Sequence, residues 1–201
     1  MDAPQLFNAG NTRFQVDLPA WAIVALNELP SHLPTLEERM AAVIDFSRRN
    51  FIEGTGGPFA AGVFERDTGK LVVIGVNRAG AAHCSAAHAE IVALSLAQAM
   101  LGTTDLGAEG LPGYQLVASW QPCAMCVAAV PWSGVRSLVV GGRGPDLEAV
   151  TGLDKGPTPP GWRAALEAQG IEVIEGVLYE EARAVFREFA SGQTSEVSED
   201  L

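Results

Sequence analysis

Two short segments carry side chains suited to metal and proton chemistry: His88-Ala89-Glu90 and Pro122-Cys123-Ala124-Met125-Cys126. Cysteines three positions apart share one helical face, and the positive N-terminal end of a helix lowers their pKa toward the thiolate that zinc requires. Pro122 is compatible with helix initiation at that point. His88 and Glu90, two positions apart, do not share a helical face, so they serve one centre only if it lies off the end of their helix. Three protein ligands, His88, Cys123 and Cys126, leave the fourth tetrahedral position of a zinc ion to water, whose pKa the metal lowers toward neutrality. Hydrolysis at an amidine-like ring carbon needs a proton on the ring nitrogen and later one on the departing amine. Glu90, a carboxylate beside the metal, is the residue that can take the proton of the water and deliver both.

This His-x-Glu with a downstream Pro-Cys-x-x-Cys resembles the cytidine and deoxycytidylate deaminase superfamily, over roughly residues 56–142. A narrower resemblance, to bacterial guanine deaminases, extends to about residue 176. It rests on Gly57-Pro58-Phe59-Ala60-Ala61, Cys84-Ser85-Ala86-Ala87-His88-Ala89-Glu90 and Trp132-Ser133-Gly134-Val135-Arg136. The resemblance implies one zinc ion per subunit, a homodimer, and hydrolytic deamination of a free nucleobase, guanine to xanthine and ammonia. It also implies a second carboxylate that passes a proton to the leaving amine, matched here by Glu148 within Asp146-Leu147-Glu148-Ala149-Val150. Guanine presents N1-H and its amino group as neighbouring donors, which a carboxylate complements, whereas the corresponding ring nitrogen of cytosine or adenine accepts. Asn77 matches a family asparagine that hydrogen-bonds the substrate, Phe59 an aromatic packed beside the base, and the amide of Ala89 a contact to a ring substituent. Two positions depart from the pattern: Gln121 stands where the family usually has Glu, and Arg187-Glu188-Phe189-Ala190-Ser191-Gly192 lacks the Tyr- and Asn-rich ending that caps some guanine deaminase pockets.

Competing readings exist for most of these residues. Cys84, four before His88, would close the metal site as a structural zinc held by three cysteines and a histidine, a reading with no use for Glu90. Cys84 is equally explained as a small buried residue packing a helix N-terminus. A redox role for Cys123 and Cys126 ignores His88. Glu90 alone would be a charge complementing a helix dipole, Glu148 a residue opening a loop or helix, and Asn77 the end of a strand. Phe59 suits a core, and Trp120, Trp132 and Trp162 are taken as packing. The same zinc site would serve guanosine, cytosine or cytidine, or an aminotriazine such as ammeline, as well as adenosine in transfer RNA; the non-enzyme alternatives are the structural zinc and a deaminase-fold binding module that has lost turnover.

The elements that must position these residues follow from pattern. Thr35 and Glu38 mark a capping box at the start of a helix carrying Met40, Val43, Ile44, Ser47 and Phe51 at helical spacing. Phe59–Glu65 and Leu71–Asn77, around a turn at Asp67-Thr68-Gly69-Lys70, predict a β-hairpin apolar on both faces, as in a sheet covered on each side. A helix over Ala86–Leu101, a strand over Tyr114–Ser119, a helix over Ala124–Trp132 and a strand over Val135–Gly141 follow. The last three form a βαβ unit. A helix over Gly161–Gln169, a strand over Ile171–Ile174 and a helix from Tyr179 to about Phe189 complete the set. The expected fold is α/β: a three-layer α/β/α sandwich around a five-stranded mixed sheet, the cytidine deaminase-like fold.

Composition limits the partners. The 201 residues suit one domain, 35–190, with an N-terminal arm over 1–34, which holds Pro4, Pro19, Pro30 and Pro34, and a flexible acidic tail over 191–201. With 48% apolar residues there is enough to build a core. A formal charge of −11 would repel a phosphate backbone, so no polynucleotide partner is expected. There is no apolar run of about 18 residues and no basic, apolar leader after Met1, which points away from membranes and toward the cytoplasm. Three cysteines do not make a disulfide framework.

Overall fold

The computed structural model describes residues 14–143, 147, 151 and 158–196, with side chains to residue 192. Five strands form one sheet: β1 (Ala60–Glu65), β2 (Leu71–Val76), β3 (Tyr114–Trp120), β4 (Ser137–Gly142) and β5 (Glu172–Glu175). Their order is β2-β1-β3-β4-β5. β1 pairs antiparallel with both β2 and β3, whereas β3, β4 and β5 run parallel. The sheet is thus mixed, with parallel strands joined through crossover helices as geometry requires.

Alternation along the strands divides the core in two. Ala61, Val63, Leu116, Ala118, Leu138 and Val140 face one way, onto α3 (Ala89–Leu101), α4 (Ala124–Ser133) and α5 (Trp162–Glu167). Phe64, Ile74, Val117 and Val139 face the other, onto α1 (Ala20–Glu28), α2 (Leu36–Ile52) and α6 (Tyr179–Glu196). Both layers bury their contacts almost completely, which completes the α/β/α sandwich.

α2 begins as its sequence predicts. The Thr35 hydroxyl accepts from the Glu38 amide at 3.1 Å, and Glu38 Oε2 accepts from the Thr35 amide at 2.9 Å. Most boundaries agree with expectation to within two residues, and the larger differences are in α3, the last helix and the N-terminal arm. α3 starts at Ala89, not Ala86, because residues 79–87 close a series of turns, with the amide of Cys84 on Ala79 O and that of Ala87 on Cys84 O. The last helix continues past Phe189 to Glu196, into the segment expected to be a flexible tail. The N-terminal arm contains α1, whose Ala22 and Ala25 are buried against α2 and its neighbours. Its Pro19 precedes the first helical residue and obstructs nothing.

A candidate metal centre between two helix N-termini

Each half of the site sits at the N-terminus of a helix. His88 is the N-cap of α3, with φ −67° and ψ 156°, and Cys123 is the N-cap of α4, with φ −71° and ψ 173°. Cys126 follows one turn later, on the face that Cys123 overlooks. α3 is brought against the sheet by Gly75 of β2, since a Cβ there would lie 2.6 Å from the Ala93 nitrogen and 3.0 Å from Ala89 O. α4 follows β3 through Gln121 and Pro122, and the Gln121 amide donates to Gly142 O at 2.8 Å.

The three candidate ligand atoms form a compact triangle. Cys123 Sγ and Cys126 Sγ lie 3.5 and 3.6 Å from His88 Nδ1, and 3.7 Å from each other. Tetrahedral zinc with Zn–S of about 2.3 Å and Zn–N of about 2.0 Å requires S···S of about 3.8 Å and N···S of about 3.5 Å. The side chains therefore fit a zinc ion through Nδ1 of the histidine. Among the described residues, His88, Cys123 and Cys126 are the group whose ligand atoms lie within 4.8 Å of one another, and Cys84 is outside it. Cys84 instead lines an apolar hollow with Phe14, Val16, Ile91 and Leu96. Three ligands and an open fourth position match a catalytic site, not a closed structural one.

Electrostatics support the same donor set. A hydrogen bond from the Cys126 thiol, aided by His88, pulls the Cys123 thiol down to about 3 against the cost of burial. The same bond, with burial and the nearby Glu90 carboxylate, pushes the Cys126 thiol up. His88 is raised chiefly by its bond to Cys123. Without a cation the two sulfurs thus share one proton, because two thiolates and a carboxylate repel each other in a buried pocket. A dication removes that constraint. Glu90 is 9% exposed, and burial raises its carboxyl above the ordinary range despite hydrogen bonds from its own amide and Cys126.

The other expected site residues fall as follows. Ala89 is buried in the first turn of α3, where amides have no intrahelical acceptor. Asn77 directly follows β2. Its amide donates to Phe59 O at 3.0 Å, its Oδ1 accepts from the Ala79 amide at 3.1 Å, and the next amide, Arg78, donates to Ala87 O at 2.9 Å. Asn77 is thereby held beside the segment leading into His88. The half-buried Phe59 ring packs on Phe186 at 5.4 Å between centroids. Glu148 lies outside the described residues. Trp120 is buried and Trp162 packs on the core, as expected, but Trp132 is 86% exposed and lies outside the core clusters of the described residues.

One polar residue at the site escaped sequence reasoning. Asn50 is fully buried near the end of α2, and its Nδ2 donates to Gly57 O at 2.8 Å and Asn77 O at 3.0 Å. Its only sequence signal is an amide on a helix face that ends in the Gly- and Pro-rich stretch 54–58.

The fold and the metal triangle define a class. Residues 34–142, more than half of the chain, match the cytidine and deoxycytidylate deaminase zinc-binding region, and the chain belongs to that family. Within it, the chain is 50% identical to a guanine deaminase from Nitrosomonas europaea, with a TM-score of 0.84, covering 90% of this chain and 98% of that one. Similar agreement is found with protein NE0047 in complex with 2,6-diaminopurine: 51% identity and a TM-score of 0.84 over 90% of this chain and 94% of that one. A tRNA-specific adenosine deaminase from Agrobacterium fabrum is 34% identical over 82 residues, which are 41% of this chain. The chain spans about half the length of that relative, 51%. No helix among the described residues is long and apolar enough to cross a membrane.

Proposed function

We propose that the protein is a zinc-dependent aminohydrolase that converts guanine and water to xanthine and ammonia. The observation that carries this reading is a three-ligand triangle of zinc dimensions with a buried carboxylate, Glu90, two residues from one ligand. When bound, zinc would supply a water of lowered pKa and an electrophilic centre. Glu90, whose carboxyl burial raises above the ordinary carboxylate range, is the group that holds and releases protons beside the metal. It takes one from the attacking water and places it on N3 of guanine, which makes C2 electrophilic. It then takes the remaining proton of the hydroxyl added at C2 and delivers it to the exocyclic nitrogen as C2=O forms and the C2–N bond breaks, releasing ammonia, with Glu148 as second proton carrier and acceptor for the N1-H edge. Asn77, Phe59 and the Ala89 amide orient the base: an amide donor, an apolar wall and a helix-terminal N–H.

The similar proteins favour a purine with an amino group at C2, since one is named a guanine deaminase and another is described with 2,6-diaminopurine. The charge of −11 weighs against transfer RNA. We further propose a cytoplasmic homodimer, with one zinc per subunit, built from arm 1–34, catalytic domain 35–190 and tail 191–201. Exposed Met125 and Trp132 on α4 and Met100 and Leu101 on α3 supply apolar surface for the partner.

The test is ammonia release by zinc-loaded protein against guanine, guanosine, cytosine, cytidine, adenine and ammeline, with product masses. Xanthine from guanine is expected, lost with Glu90→Gln while zinc is retained, and reduced with Glu148→Gln. Turnover of another compound in place of guanine would refute the substrate. Loss of zinc from Cys84→Ala, together with no turnover of any of the six, would revive the structural site.

A further inference from the structure

A chain of partly buried hydrogen bonds links the N-terminal helix to the residues proposed to contact substrate. Trp21 of α1 donates Nε1–H to Thr55 Oγ1 at 3.0 Å, and the Thr55 hydroxyl donates to Asn50 Oδ1 at 2.8 Å. Asn50 Nδ2 spends its two hydrogens on Gly57 O and Asn77 O. The carbonyls on either side are also tied: Thr55 O accepts from Arg78 Nη1 at 2.6 Å, and Arg78 Nε donates to Asp17 O of the arm at 3.0 Å. The turn at 55–57 and the turn after β2 touch so closely that a Cβ on Gly56 would lie 2.1 Å from Asn77 O. The indole of Trp21 is itself fixed, 5.5 Å from the Phe46 ring and 4.8 Å beneath the Arg49 guanidinium.

We propose that Trp21, Thr55 and Asn50 form a positioning unit through which the N-terminal helix holds Asn77 and Phe59 for base binding. The inference rests on the reading of those two residues as substrate contacts. Its physical basis is that Asn77 stands beyond the last strand pair of β2. Two ties define its peptide: its own amide on Phe59 O and Asn50 on its carbonyl. With Oδ1 engaged by Ala79, the Asn77 Nδ2 hydrogens can point at a base acceptor only while that peptide keeps its orientation. None of the three positioning residues touches the ligand triangle, so they set binding and not chemistry.

The experiment uses the full-length, zinc-loaded protein and guanine. Thr55→Val keeps the shape but removes the hydroxyl bonds to Trp21 and to the side chain and carbonyl of Asn50. KM is expected to rise about three- to tenfold, the worth of one or two partly buried hydrogen bonds, with kcat and zinc content within about twofold of the parent. Thr55→Ser restores the hydroxyl and should restore KM. Trp21→Phe, which keeps the aromatic packing, should shift KM in the same direction and serves if Thr55→Val does not fold. A fall in melting temperature with unchanged KM in these variants would overturn the proposal and leave the network merely structural. Asn77→Ala separates the two levels. If it raises KM while Thr55→Val and Trp21→Phe do not, only the positioning unit fails. If it too leaves KM unchanged, Asn77 is no substrate contact and both readings fall.

Discussion

Substituting Gly75 by Ala should disable catalysis by moving α3, although residue 75 is itself no metal ligand. The added methyl carbon would stand 2.6 Å from the Ala93 nitrogen, 2.9 Å from Ala93 Cα and 3.0 Å from Ala89 O. Non-bonded atoms of this kind settle near 3.5 Å, so α3 must retreat from β2 by roughly 0.9 Å. His88 caps that helix and Glu90 lies in its first turn, whereas Cys123 and Cys126 belong to α4 and stay behind. Zinc coordination tolerates about 0.2 Å, and a misplacement of about 1 Å at a reacting group costs on the order of 100-fold. The overpacking itself costs about 1–3 kcal/mol, a melting temperature lower by roughly 2–12 °C for a chain of this length. Steady-state conversion of guanine to xanthine, zinc analysis and thermal melting of the same preparation measure all three. A folded Gly75→Ala protein with parental kcat/KM and full zinc would refute the claim that close contact between β2 and α3 places His88 and Glu90.

Three other consequences concern charge. Zinc binding at pH 7 to the metal-free protein should release at least one proton, from Cys126, because that thiol is raised while Cys123 is already a thiolate; titration calorimetry in buffers of different ionisation enthalpy counts it, and no release would contradict shared protonation. Glu38 is held below the usual carboxylate range, first by the Thr35 amide and then by its hydroxyl, so its contribution is present above the unfolded pKa and lost as pH falls through the folded one. Glu38→Gln should therefore lower the melting temperature at pH 7, with the gap closing as pH falls through the lowered folded-state pKa of Glu38; a pH-independent gap would argue against it. Arg39 is 3% exposed and donates to Leu33 O, Pro34 O, Arg66 O and Gln115 Oε1. Arg39→Met orphans these acceptors and should cost about 2–4 kcal/mol in urea unfolding, with kcat for guanine unchanged well below the transition.

The sequence by itself determined the parts of the protein that depend on local chemistry. Ligand types and spacing mark His88, Cys123 and Cys126, because i, i+3 thiols and a histidine at a helix start suit one metal whatever surrounds them. The capping box of Thr35 and Glu38 and the apolar strands are equally local, since backbone bonds and side-chain alternation do not depend on distant residues. α1 was not foreseen, because its nine residues are apolar almost all round and show no helical stripe; only burial against α2 and its neighbours makes the helix persist.

Tertiary structure decided the rest. That Cys84 stands apart from the ligand triangle although it is four residues from His88 follows from the turns at 79–87, which no pattern of residue types specified. The meeting of the α3 and α4 N-termini depends on Gly75 beneath one helix and on the β3–β4 pairing beneath the other. The tie from Trp21 to Asn77 joins residues 56 positions apart through Thr55 and Asn50. Contacts of that range form only once chain closure has been compensated by the burial of both core layers, so they are a property of the folded sheet and its helices and not of any segment alone.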